Sequence, residues 1–474
     1  MKIEMSSYLK EAKTYIEQLL GKLLALYPYA SILGSDASGK TYRVSGAGTV
    51  IANGAFEERG FVVKVYNGTT YSEFVFNEID GDKIDSIVEH IKRLVKLPQD
   101  LKDTVQCESY TKIEEESCKL SKCTDIEIHP KALGDEKIID TLTKLHQKGK
   151  NIDERVIDFS VTFEYLQISK VFLSPNKDLE QSFMWSTGAM MCMAHEEDKN
   201  NYFYKGFSGA CGSELMDSME DHVEEVVQTA LELFHSETIT PGTYDVICSP
   251  DVSGLIAHEA FGHGVEMDMF VKNRALAKDY IGEYVASPLV TMHDGAIGVE
   301  NTGSYFFDDE GTLAQDSIII DKGILKQGIS DGLTAMQLGT TPTGNGRRES
   351  FERKAYTRMT NTYFEPGEST LEEMIASIEN GYLLDGSASG MEDPKNWGIQ
   401  CMVSIAREIK GGKLTGKVFS PIVLTGYVPD LLKSISMVSK DLELAGTGYC
   451  GKGYKEWVKV STGGPYIKAK VRLG

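Results

Sequence analysis

The chain has 474 residues, a formal net charge of −21, 41% hydrophobic residues and 25% charged residues. This is the make-up of a globular protein too long for one core, so two domains are expected. The acidic balance excludes nucleic acid as a main partner, since phosphate binding needs a basic surface. No run of about 18 apolar residues is present, which excludes a membrane-spanning helix.

Apolar positions Ala12, Ile16, Leu19, Leu20, Leu23 and Leu24 predict a helix from Tyr8 to Tyr27, ended by Pro28. From Ser31 to Asn77, short alternating runs broken by glycines predict an antiparallel meander with an Asn67-Gly68 turn. Ile84 to Val95 reads as a second helix, and the polar stretch 99–133 as a surface excursion. A third helix is expected over Glu136–His146. A sheet follows from Phe159 to about Ser208, then one long helix from Ser213 to His235. The first half is therefore an α+β unit with an antiparallel sheet and long helices, assigned to residues 1–238.

The Pro241-Gly242 turn separates it from the second unit, residues 239–474. There, Tyr244–Cys248 predicts a strand, and Ser249-Pro250-Asp251 predicts a helix start with an N-cap serine and proline at N1. Beyond that helix the pattern is β-rich and barrel-like. It includes a hairpin at Ser317–Leu325 and one interrupting helix around Leu371–Glu379.

The N-terminus has no apolar signal region, and the eight cysteines lie far apart in a large chain. Reduced thiols and a cytoplasmic location are expected. Cys107, Cys118, Cys123 and His129 could form a small zinc site, but their spacing matches no usual pattern and scattered thiols are the better reading.

The helix opened by Ser249 carries His258-Glu259-Ala260-Phe261-Gly262-His263. Two imidazoles around a carboxylate supply the neutral ligands and general base of a hydrolytic zinc site. In the familiar HExxH form the histidines are four apart, about 40° around the helix axis; five apart they diverge by about 140°. A π-bulge restores the alignment, and Gly262 sits where strained backbone would be tolerated. Without such a bulge these are two ordinary histidines on a helix. A third ligand could be Glu266, Asp268, or a remote His or Cys. Cys450 stands out among four glycines, with Lys452 placed to favour its thiolate. Arg347 and Arg348, beside glycines, could grip a substrate or serve as salt bridges. Asp308-Asp309-Glu310-Gly311 reads as an acidic hairpin turn ahead of a divalent-ion site.

His258-Glu259-Ala260-Phe261-Gly262-His263 together with Cys450-Gly451-Lys452-Gly453 resembles the TldD/PmbA family of zinc metalloproteases, in its metal-binding TldD type. Asp308–Gly311, Thr343–Arg348 and Arg358–Gly367 are similar to family stretches in the same order. The resemblance is close over most of the second half; the first half is similar only in length and texture.

It implies a cytoplasmic peptidase with one zinc ion per active subunit, held by His258, His263 and Cys450, and Glu259 as base. It also implies two subunits enclosing a cavity that admits unfolded peptides, as a homodimer or with a related, metal-free PmbA-type subunit. A non-catalytic peptide-binding or modulator protein with a structural metal is the alternative. Tyr454-Lys455-Glu456-Trp457 and Gly386–Pro394 depart from the family pattern and bear on substrate preference.

Overall fold

The computed structural model describes residues 1–95, 109–453 and 455–474. Alternating apolar residues in the first part build one eight-stranded sheet. Its order is Tyr71–Phe76, Glu58–Tyr66, Tyr29–Ser45, Val156–Leu173, Lys177–Glu196 and Cys118–Cys123. Gly48–Asn53 pairs with the third of these and Lys199–Gly209 with the fifth. Helices Ser7–Leu24 and Ile84–Leu94 bury Leu9, Ile16, Leu19 and Ile91 against Ile32, Phe61 and Val63. Helix Asp135–Lys150 buries Ile138 and Leu142 in a second cluster with Phe159, Phe163 and Met190.

Two expectations change here. The predicted excursion 99–133 contains the strand Cys118–Cys123, which runs parallel to Lys177–Glu196. Its sequence, Cys-Lys-Leu-Ser-Lys-Cys, has too few apolar residues to announce a strand; residues 96–108, with Cys107, lie outside the described residues. The expected long helix 213–235 is two helices, Leu215–Glu220 and Val223–Glu232, then a 3₁₀ turn at Leu233–His235. His222 between them moves to φ −102°, ψ −1°, while the apolar stripe runs on across the break.

In the second part, five strands close into a barrel. Asn380–Asp393 pairs with Gly242–Cys248, then Ile467–Leu473, Ile422–Tyr427 and Gly398–Lys410, which returns to Asn380–Asp393. Closure leaves none of these five with an open edge. Three short helices besides Leu371–Ala376, at Met267–Val271, Gly332–Leu338 and Val428–Lys433, correct the expectation of a single interruption. The α+β architecture with a barrel-like, β-rich second part is as the sequence predicts. The largest apolar cluster uses only residues 239–473, and two others only residues 3–234. The buried ion pair Lys64–Glu310 and the partly buried pairs Lys170–Asp309 and Arg348–Glu73 link the two parts. Among the described residues no helix is long and apolar enough to cross a membrane.

A six-stranded sheet beside the barrel carries His293 on the strand Met292–Gly295. The ring stacks on Tyr363 at 5.0 Å, with Nδ1 3.0 Å from Asp316 and Nε2 2.9 Å from Glu365. Burial opposes protonation, but the two carboxylates raise the pKa above 6.5. A folded-state pKa above the unfolded one stabilises fully below the unfolded value and fades as pH rises through the folded value. Unfolding midpoints measured from pH 6 to 9 should therefore fall more steeply in the wild type than in His293→Gln. Parallel curves would remove His293 from the pH dependence.

Candidate metal centre

Helix Pro250–Ala257 runs into a π-helical turn, His258–Gly262, and a 3₁₀ turn, His263–Val265. The His263 N–H donates to the His258 carbonyl five residues back, the bond that defines the bulge. The extra residue brings both rings to one side, with centroids 5.1 Å apart. Gly262 itself keeps ordinary helical dihedrals, φ −68° and ψ −65°. A side chain is excluded there for another reason: a Cβ would lie 2.2 Å from Met359 Sδ. The glycine thus serves close packing, where backbone strain was expected.

The helix start also differs from expectation. Pro250 is in the first turn, but Ser249 makes no side-chain cap. Its hydroxyl instead donates to Asp251, whose other oxygen accepts the Ser387 N–H at 2.6 Å. That bond fixes the helix to barrel strand Asn380–Asp393. Farther along the strand, Gly390 faces Glu259 and Glu392 faces Gly264.

Cys450 comes from the hairpin Tyr449–Lys452/Lys455–Lys459, with Sγ 3.3 Å from His258 Nε2 and 3.2 Å from His263 Nε2. The three donor atoms lie within 4.8 Å of one another. Such distances suit imidazole–thiolate hydrogen bonds. They equally match donors around a tetrahedral zinc, where bonds of about 2.0–2.3 Å space neighbours by about 3.5 Å. Two neutral nitrogens and a thiolate are a fitting donor set for such an ion.

Burial pushes the Cys450 thiol up, but His263 and His258 outweigh it and hold the thiol well below its usual range. Burial likewise opposes a charged His263, while Cys450 and Glu266 raise its pKa well above 6.5. Lys452, expected to act on the sulfur, instead reaches Glu266 at 3.1 Å and Asp268 at 2.7 Å.

Glu266 and Asp268 are therefore not grouped with the donors. Glu266 lies 3.4 Å from His263 Nδ1, which orients that ring with Nε2 toward Cys450. Burial works against its charge, yet Lys452, His263 and Arg358 keep the carboxyl well below the usual range. His258 Nδ1 is buried without a hydrogen-bond partner among the described residues, so no neighbour fixes its tautomer.

Glu259, 8% exposed, makes no hydrogen bond or ion pair among the described residues. Glu392, within the Gly386–Pro394 stretch but given no role at the metal centre by the sequence, has both carboxyl oxygens buried beside the Gly264 N–H. Burial pushes its pKa well up against the opposing pull of His263, and Glu259 and Glu266 nearby add to the rise.

The other candidates stand apart. Arg348 pairs with Glu73 at 2.6 Å, and Arg347 donates to the Met359 and Lys459 carbonyls, so both are structural ties here. Asp308 Oδ1 accepts the Glu310 and Thr312 N–H groups of its own turn, with its pKa pushed to about 7 by burial and Glu310. His129 caps helix Pro130–Leu133, and no metal-type group among the described residues includes it, Cys118 or Cys123.

Residues 241–472 match the family described as PmbA/TldA metallopeptidase C-terminal domain. The chain is 28% identical to a metalloprotease of Methanocaldococcus jannaschii over 94% of its own length and 97% of the relative's. It is 32% identical to a TldD metalloprotease homolog of Buchnera aphidicola over 69% and 70% of the two lengths. A zinc metalloprotease TldD homolog of Saccharolobus solfataricus is 33% identical over 48% and 51%. TldE from Thermococcus kodakarensis shares the fold at TM-score 0.71 and 16% identity, over 97% of this chain and 100% of that one. A proposed modulator of a DNA gyrase from Thermotoga maritima does so at 0.75 and 19%, over 97% and 100%. On the Buchnera match, and with the family domain spanning the whole donor set, the chain belongs to the TldD/PmbA family of metallopeptidases.

Proposed function

We propose that the chain hydrolyses peptide bonds in unfolded or flexible peptides, with a single zinc ion held by His258, His263 and Cys450. The observation that carries this reading is the convergence of three donors from segments almost 190 residues apart, beside the carboxylate of Glu259. When bound, the ion supplies Lewis acidity toward a water and the scissile carbonyl. Glu259 accepts the water proton and returns it to the leaving amine. The carboxylate suits that task because no cation or donor among the described residues engages it. Glu266 holds the His263 ring through Nδ1, and Arg358 links Glu266 to the Cys450 carbonyl. The active species is a dimer enclosing a cavity, built from two such chains or completed by a metal-free PmbA-type subunit, and it works in the cytoplasm.

The test is incubation of metal-assayed protein, of known mass by light scattering, with an unstructured peptide library. Cleavage that stops with a chelator and returns with zinc is expected. Zinc-loaded protein that binds peptides and cleaves none would favour the peptide-binding alternative.

Gly390 gives a second expectation. A Cβ there would stand 2.4 Å from Glu259 Cγ, so Gly390→Ala must push the base aside. A shift of about 1 Å costs on the order of 10²-fold in rate. Zinc content should not change, because Glu259 is not a ligand. An unaltered kcat would show that the side chain at Gly390 does not position the base.

A further inference from the structure

We propose that a cavity on the far side of the Cys450 hairpin is a binding site for a carboxylate carried on an aromatic group. The hairpin has two faces. Cys450 and its register partner Val458 share one, while Tyr449 pairs with Lys459 on the other. Behind the second face lies a cavity of about 90 Å³, closed on its opposite side by strands of the eight-stranded sheet. Its walls include Phe56, Trp185, Tyr449 and Trp457. Phe56 stacks on Tyr449 at 4.4 Å, and Trp185 meets Tyr449 edge-on at 6.5 Å.

Two basic side chains line this space, neither within ion-pair distance of a carboxylate among the described residues. Lys459 Nζ lies 4.2 Å from the Tyr449 ring centroid and 4.8 Å from that of Trp185. It donates to the Thr447 carbonyl at 2.9 Å, and no carboxylate among the described residues lies within ion-pair distance. The residue is 7% exposed and burial lowers its pKa to about 7, so an anion seated beside it would favour the charged ammonium. Arg347 bonds only carbonyls and faces the Tyr305 ring.

The carboxylates lining the cavity are already engaged. Glu58 accepts from Ser35 and the Phe351 N–H, Asp308 from three backbone N–H groups, and Asp309 from Lys170 and the Arg348 N–H. Glu349 accepts the Glu456 N–H. The unspent hydrogen-bonding capacity is therefore donor capacity. A ligand that completes it brings an acceptor, best an anion, and the aromatic walls select a flat apolar group beside it. The volume takes the carboxylate and part of a ring, with the remainder leading outward. Both a free aromatic acid and the C-terminus of a peptide ending in an aromatic residue present this chemistry. The site stands independently of the proposed zinc reaction.

Trp185 and Trp457 are two of the three tryptophans, so intrinsic emission reports occupancy directly. The intact protein is titrated with phenylacetate, with the peptide Gly-Gly-Phe, and with its C-terminal amide. Saturable emission change with a carboxylate probe, at least tenfold weaker with the amide, is expected. Saturation by phenylacetate alone assigns the site to small acids, and saturation by the peptide assigns it to peptide ends. Lys459→Gln should erase the preference for acid over amide. Equal response to acid and amide, or no saturation by either acid at millimolar concentration, overturns the proposal without reference to the variant's folding.

Discussion

Glu259→Gln is expected to lower kcat for peptide hydrolysis by about 10³-fold while zinc content and the unfolding midpoint stay at wild-type values. Glutamine keeps the shape but is uncharged and cannot accept the proton. The carboxylate makes no hydrogen bond or ion pair among the described residues, so the folded state loses no partner when it is replaced. The neighbouring donors belong to His258, His263 and Cys450, so metal retention should not depend on it. Rate and metal content must therefore separate. A kcat within tenfold of wild type, with zinc bound, would take the role of base away from Glu259. Loss of zinc together with activity would instead place the carboxylate among the ligands. Gly390→Ala should reproduce part of the same loss by displacement, since it leaves the carboxylate present but moved.

The parts of this site that were legible from sequence were the local ones. A five-residue spacing between histidines demands a bulge, and the His263-to-His258 bond is that bulge. The packing reason for Gly262 was not legible, because Met359 comes from almost a hundred residues away. Cys450 could be suspected from its glycines alone, but Lys452 was assigned the wrong partner. The lysine tip finds two carboxylates, Glu266 and Asp268, from the metal helix and its continuation. Glu392 and Gly390 lie in the Gly386–Pro394 stretch, which the sequence tied only to substrate preference and not to the metal centre. They reach the centre because strand Asn380–Asp393 is pinned alongside the helix by the Asp251–Ser387 bond, and only its register sets which residues face inward. The same distinction holds for the fold. Long amphipathic stripes marked helices such as Ser7–Leu24, whereas the polar edge strand Cys118–Cys123 exists only through its pairing with Lys177–Glu196.

Arg358→Met is expected to cost about 3 kcal/mol of stability and to weaken zinc binding as well. Arg358 is fully buried. Its Nε donates to Glu266 Oε1 at 3.2 Å, Nη2 to the Cys450 carbonyl at 2.8 Å, and Nη1 to the Glu456 carbonyl. One planar group therefore joins the acid behind His263 to the backbone of the third donor. Methionine fills much of the volume but removes the donors to the Cys450 and Glu456 carbonyls and one cation from a carboxylate that is 2% exposed. Removing one partner of a buried pair typically costs about 3–5 kcal/mol. The lower end applies because Lys452 still reaches Glu266. Lysine should not rescue, since a single ammonium cannot serve three acceptors in the fixed fork of a guanidinium. Denaturant midpoints and zinc competition against a chelator measure the two effects. Adding Glu266→Gln should recover part of the stability by neutralising the stranded acid, yet leave zinc affinity low, because the Cys450 carbonyl stays untethered. If Arg358→Met lies within 1 kcal/mol of wild type and binds zinc as tightly, the guanidinium is packing alone, and the link between His263 and Cys450 runs elsewhere.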